Sequence, residues 1–172
     1  MQQAMNSPAA LMSGGADMNG TTSVSKNNEA RKKTVSYKNN YHIGDRAEMT
    51  KTFSDRDLID YVRATNDSNP IHCNDEHSVT RFKGKIVHGM LVGGLISAVL
   101  GTKMPGHGTI YVSQNMKFIK PVYVNESVTA RAEITAVDEN RKRLFMATTC
   151  YNEKDEPVVI GEAVVIPPEW LI

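Results

Sequence analysis

The run Ile86-Val87-His88-Gly89-Met90-Leu91-Val92-Gly93-Gly94-Leu95-Ile96-Ser97-Ala98-Val99-Leu100 limits the fold more than any other stretch of the chain. It is apolar nearly all round, yet shorter than the roughly 20 residues that span a bilayer, so it predicts a helix buried in a protein core. Gly93 and Gly94 would each weaken such a helix by about 1 kcal/mol against Ala, which is tolerable where a neighbour packs very close. Gly101 is the expected stop. The turn cluster Pro105-Gly106-His107-Gly108 then leads into segments of the other period. Ile110, Val112, Gln114, Met116 and Phe118 share one face, and Val128, Ala130, Ala132, Ile134 and Ala136 share another. Stretches 143–151 and 158–166 add two more strands before Pro167-Pro168. Successive strands with short turns predict an antiparallel meander, and with the helix ahead of them they predict an α+β fold whose sheet wraps around a long central helix.

Upstream, Asp45 to Phe53 alternates weakly and reads as a first strand. Ser54 with Asp57 makes a helix start, and Leu58, Tyr61 and Val62 continue the stripe to about Thr65. This helix delivers the chain to Asp67-Ser68-Asn69-Pro70-Ile71-His72. Pro70 fixes its own φ, lacks a donor and disfavours the α region at Asn69, so the stretch is expected to be a non-helical turn. A turn can bring Asp67 and His72 towards one cavity. A carboxylate and an imidazole that titrates near neutrality can take a proton from water and return one within a turnover. The same residues also suit an Asx-type turn with an incidental His beyond it, and the hexapeptide alone leaves both readings open. The long helix favours chemistry, because its first turn holds His88-Gly89 and its free backbone N–H groups can bind a polarised carbonyl oxygen. Asn74 is expected to cap a further turn or two through Asp75, Glu76 and His77 towards Phe82. Those charges read as a solvated face, with no recognisable metal-ligand spacing.

With these residues in view, Tyr61 to Ser78 followed by Ile86-Val87-His88-Gly89-Met90 resembles the MaoC-like (R)-specific enoyl-CoA hydratase (hydratase 2) family, which has a hot-dog fold. The family signature centres on Gly-Asp-x-Asn-Pro-hydrophobic-His with a small residue further on, and Asp67, Asn69, Pro70, Ile71, His72 and Ser78 match it. Asn66 stands where Gly is usual and Ala64 at an aliphatic position; Asn tolerates the left-handed backbone that a Gly there supplies. The resemblance implies reversible addition of water to a trans-2-enoyl-CoA, giving the (R)-3-hydroxyacyl-CoA, by a hydro-lyase that needs no cofactor and no metal. It implies Asp67 and His72 as the catalytic pair and the Gly89 N–H as oxyanion donor. Asn69 would support the pair from behind. Ser97 matches a substrate-binding position, though on this helix a satisfied buried hydroxyl is the competing reading, and His88 is assigned to structure. A homodimer is the implied assembly. The alternatives are a 3-hydroxyacyl-acyl-carrier-protein dehydratase of fatty acid synthesis, a hot-dog thioesterase, and a non-catalytic acyl-thioester-binding subunit, which would not need both Asp67 and His72.

Charge narrows the partners. A formal net charge of +1 gives no electrostatic case for nucleic acid or membrane. Lys83, Lys85, Lys103, Lys117 and Lys120 are candidates for carrier phosphates, with none singled out. Cys73 and Cys150 form no metal-spaced pair and are expected to be reduced. Residues 1–40, rich in Ser, Asn, Gly, Ala and Met, read as a disordered N-terminal extension or leader ahead of a hydratase domain at 41–172. They lack a signal-peptide core, and Arg is absent before Arg31, so a cytoplasmic location is expected, or a mitochondrial one if the extension is a transit peptide.

Overall fold

The computed structural model describes residues 41–76 and 82–171, all within the compact unit Ser36–Ile172. The expectations for residues 1–40, for the turn through His77 and for Ser78 lie outside the described residues. The chain runs β1 (Arg46–Thr52), α1 (Asp55–Thr65), α2 (Pro70–Cys73), α3 (Gly89–Thr102), β2 (Ile110–Phe118), β3 (Ser127–Asp138), β4 (Arg143–Tyr151) and β5 (Pro157–Ile166). A single 3₁₀ turn, Pro168–Trp170, follows. The strands form one antiparallel five-stranded sheet in the order β1-β3-β4-β5-β2. This is the α+β hot-dog arrangement, with α3 laid against one face of the sheet.

Alternation sets which face that is. Val128, Ala130, Ala132 and Ile134 of β3 are fully buried, as are Leu144 and Met146 of β4, and they meet Val92, Ile96, Val99 and Leu100 of α3. Apolar area removed from water at about 25 cal/mol per Å² is the main term holding helix to sheet. At α1 the Ser54 hydroxyl accepts from Asp57 N–H while the Asp57 carboxylate accepts from Ser54 N–H, a reciprocal cap worth about 1 kcal/mol.

Four expectations change. The meander holds only for β3-β4-β5, because β2 pairs with β5 and leaves β1 to pair with β3. Residues 119–126 cross back instead, held by Val87 N–H to Val122 O at 2.7 Å, an Ile86–Tyr123 bridge and Asn125 N–H to Phe53 O at 2.6 Å. That same pairing keeps Ile86 and Val87 extended, so the helix begins at Gly89 with His88 as N-cap. It also runs through Gly101 to Thr102, whose hydroxyl donates to Ala98 O. Finally, α3 is not buried all round: Met90, Gly94 and Ser97 are exposed along one side. Gly93 has the expected close neighbour, since a Cβ there would sit 2.8 Å from Met116 Sδ, whereas Gly94 faces open space.

Candidate active site

The site is assembled where α1, α2 and the start of α3 meet. α1 ends at Asn66, whose φ of 62° is the left-handed conformation required to turn the chain. The next residues form a tight hydrogen-bonded corner. Asn69 N–H donates to Asp67 Oδ1 at 3.3 Å, and Ile71 N–H donates to Asn69 Oδ1 at 3.4 Å. Asn69 is thereby the N-cap of α2, with Pro70 in its first turn. The stretch is therefore not helix-free as expected. Proline at the first helical position loses only an N–H that has no intrahelical partner there, so Pro70 opens a helix that carries His72.

His72 is 8% exposed, and its Nδ1 lies 2.7 Å from Ile86 O. A carbonyl can only accept, so Nδ1 carries the proton in the neutral ring and Nε2 is left with a free lone pair. Asp67 is exposed at the cavity rim. Asp67, His72 and Gly89 line one cavity of ≈ 460 Å³, whose remaining wall is mainly apolar, with Phe82, Ile86, Phe118, Val122 and Val159. Gly89 opens α3, and among the described residues no hydrogen-bond partner satisfies its N–H. A Cβ at Gly89 would lie 2.9 Å from the Phe118 ring, so glycine is needed here for the approach of that ring.

Other expected residues stand further off. Asn69 acts through its cap and does not line the cavity. Ser97 is exposed on α3 and is not part of the cavity wall; its hydroxyl is not buried. Of the candidate lysines, Lys120 reaches the cavity, where it pairs with Glu156 at 2.8 Å, and Lys85 is engaged by Asp55 at 2.6 Å and Asp75 at 3.5 Å. Cys73 and Cys150 are free, and burial pushes the Cys150 thiol up to about 12.

His88 was assigned to structure alone, yet it touches both catalytic candidates. It is 1% exposed, its ring stacks on His72 at 3.9 Å, and its Nε2 donates to the backbone carbonyl of Asp67 at 3.0 Å. The Tyr61 ring packs against it as well, tilted by 50° with centroids 4.7 Å apart. Burial holds its imidazole below the ordinary value, against the weaker raising effect of the Asp67 carbonyl. Its place immediately before Gly89 was the sequence signal. One carboxylate oxygen of Asp67 and one ring nitrogen each of His72 and His88 lie within 4.8 Å of one another. Stacked rings 3.9 Å apart with an interplanar angle of 29° keep their in-plane lone pairs in separate, nearly parallel planes, which is poor geometry for one shared ion. The spacing suits a water better, because two hydrogen bonds of about 2.8 Å meeting at one oxygen span up to about 5 Å.

Fold and site together define a hot-dog protein in which a carboxylate, an imidazole and the first residue of a helix line one largely apolar cavity. The chain belongs to the MaoC like domain family, whose model matches residues 22–155. It is similar to the (R)-specific enoyl-CoA hydratase of Rhodospirillum rubrum, 41% identical over 126 residues, which are 73% of this chain and 87% of that protein. It is also similar to a mitochondrial 3-hydroxyacyl-[acyl-carrier-protein] dehydratase of Arabidopsis thaliana, 32% identical over 78% of this chain and 82% of that one. Among solved structures, the (R)-hydratase from A. caviae involved in PHA biosynthesis superposes with a TM-score of 0.74 at 34% identity, covering 76% of this chain and 99% of that one.

Proposed function

We propose that the chain is a hydro-lyase that adds water reversibly to a trans-2-enoyl thioester, giving the (R)-3-hydroxyacyl thioester, with coenzyme A as carrier and residues 41–172 as the hydratase domain. The observation that carries this reading is that Asp67, His72 and Gly89, the first residue of α3, line one largely apolar cavity. Water held between the Asp67 carboxylate and His72 Nε2 gives a proton to the pair as its oxygen bonds to the β carbon. The β-carbon π electrons move towards the thioester oxygen, where the Gly89 N–H stabilises the enolate more than it does the ground-state carbonyl. The pair then returns a proton to the α carbon, so water's atoms are all in the product and no oxidant is needed.

Loss of absorbance at the enoyl-thioester band with crotonyl-CoA tests the reaction, and a coupled (S)-specific 3-hydroxyacyl-CoA dehydrogenase should stay silent. NADH production in that assay would overturn the stereochemistry. The Arabidopsis relative favours one second reading, dehydration of acyl-carrier-protein substrates, which a faster reaction with the carrier-protein thioester would select. We also assign the working form as a homodimer. β2 is an edge strand, and Ile110, Val112 and Phe118 on it are exposed, so pairing with a second copy would satisfy its backbone and cover that surface. No helix among the described residues is long and apolar enough to cross a membrane; we assign the reaction to the cytoplasm, or to mitochondria if residues 1–40 are a transit peptide.

A further inference from the structure

We propose that His88 is a positioning residue for the hydration reaction: through its Nε2–H it fixes the backbone at Asp67, and through its ring face it fixes His72, so that both are held in register with the Gly89 amide. The inference rests on the functional reading above and adds a residue and a role to it.

Three contacts carry the argument. His88 is the N-cap of α3, so its own backbone sets where the Gly89 N–H points. Its Nε2 lies 3.0 Å from Asp67 O, a bond that ties α3 to a corner otherwise held by local turns at Thr65, Asn66 and Asn69. Its ring stacks on His72 with centroids 3.9 Å apart, while the edge of His72 is held by the Ile86 carbonyl, leaving little freedom for ring rotation. One imidazole and the backbone that carries one carboxylate are thereby held by a single side chain that itself does not line the cavity.

Only one of the two ring nitrogens of His88 has a hydrogen-bond partner among the described residues. Among the described residues His88 Nδ1 is buried with no hydrogen-bond partner, and no side-chain cap is made to the first turn of α3. A buried, unpaired acceptor opposes folding, so that nitrogen gives the fold no reason for a histidine at this position. The nitrogen that is bonded points at the one peptide unit that carries the catalytic carboxylate. A misplacement of about 1 Å in a site of this kind can cost about 10²-fold in rate, so a tether on Asp67 has a large effect without touching substrate.

The test uses the full chain and a pair of variants of like size and shape. In His88→Gln an N–H donor remains at about the reach of Nε2; in His88→Met it is gone, and both lose the stack on His72 equally. With crotonyl-CoA, the Gln variant is expected to exceed the Met variant in kcat by about 5- to 10-fold, with KM within about twofold. In an Asp67→Asn background that advantage should fall below about twofold, because the tether has lost the group it serves. Equal kcat in the two variants, an unchanged advantage in the Asp67→Asn background, or a loss confined to KM overturns the proposal. Hydrogen exchange at residues 66–69 reads the tether without chemistry and should be faster in the Met variant than in the Gln variant. If the wild-type chain proves inactive on crotonyl-CoA, the functional reading fails while this exchange difference still decides the tether. A Met variant that does not fold beside a Gln variant that does would make His88 a requirement of the fold, and would also overturn the positioning role.

Discussion

Removal of the Gly89 N–H is the most direct perturbation of the proposed chemistry, and the structure licenses a substitution that does it. Proline lacks the donor, and Gly89 is the first residue of α3, the one helical position where proline is tolerated. The residue before a proline must be extended, and His88 already has φ −56° and ψ 130°. The obstacle is steric, since the Phe118 ring lies 2.9 to 3.3 Å from the Cβ position. Phe118 is 50% exposed, so Phe118→Ala opens that space at modest cost to the core.

The comparison is then Gly89→Pro against Gly89→Ala, both carrying Phe118→Ala, which leaves the N–H as the difference between them. Loss of one oxyanion donor is worth about 10²- to 10³-fold in kcat, or about 2.7 to 4 kcal/mol of transition-state stabilisation. Melting temperatures of the pair should agree within a few degrees, since no helical hydrogen bond is lost at this position. Initial rates with crotonyl-CoA and thermal melts on the same preparations give both quantities. A proline variant within tenfold of the alanine variant, both folded, would refute the assignment of the thioester oxygen to this amide.

Asp67→Asn and His72→Gln should each lower kcat by at least about 10²-fold with the double variant little worse than the worse single, a non-additivity seen in steady-state rates. Asp57 is held down to about 2 by Lys51 first and then by Ser54. Its folded value lies below its unfolded one, so its contribution is present above about 3.8 and is lost as pH falls towards about 2. Asp57→Asn should therefore lower the melting temperature at pH 7 and converge on wild type near pH 2. Sedimentation at micromolar concentration should give a dimer mass, and a fully active monomer would remove the homodimer.

The parts of the fold written in local pattern were legible. Ser54 and Asp57 announce α1, and the alternation of β3 and β4 identifies their buried faces. The β2 connection was not legible, because nothing in its own residues says that 119–126 pair with 85–87 rather than turn back into a hairpin; that choice is made by a partner far away in the chain. The start of α3 was misplaced for the same reason. Ile86 and Val87 have the apolar character of the helix but are captured as extended backbone by Tyr123 and Val122. At Pro70 the general bias of proline against helix gives way to its tolerance at a first helical position, which the sequence pattern does not announce. His88 was placed in the right element, but its contact with the Asp67 carbonyl depends on how α3 docks against the corner after α1, and no spacing reports that.

Two readings of Asp67 to His72, a capped turn and a catalytic pair, stood as rivals in the sequence, and the atoms divide between them. Asp67 uses Oδ1 for the Asn69 amide and its carbonyl for His88, while Oδ2 has no partner among the described residues. His72 uses Nδ1 for Ile86 O, which by fixing the tautomer is also what makes Nε2 a base. Gly89 contributes its backbone to α3 while its own N–H, too near the helix start to bond within it, stays available. Each residue thus has one group committed to the corner, and the proposed reaction uses the other. On the proposed reading, turn chemistry at this corner is the means by which the pair is aimed, because a carboxylate or imidazole held by one of its two polar atoms keeps a fixed direction for the other.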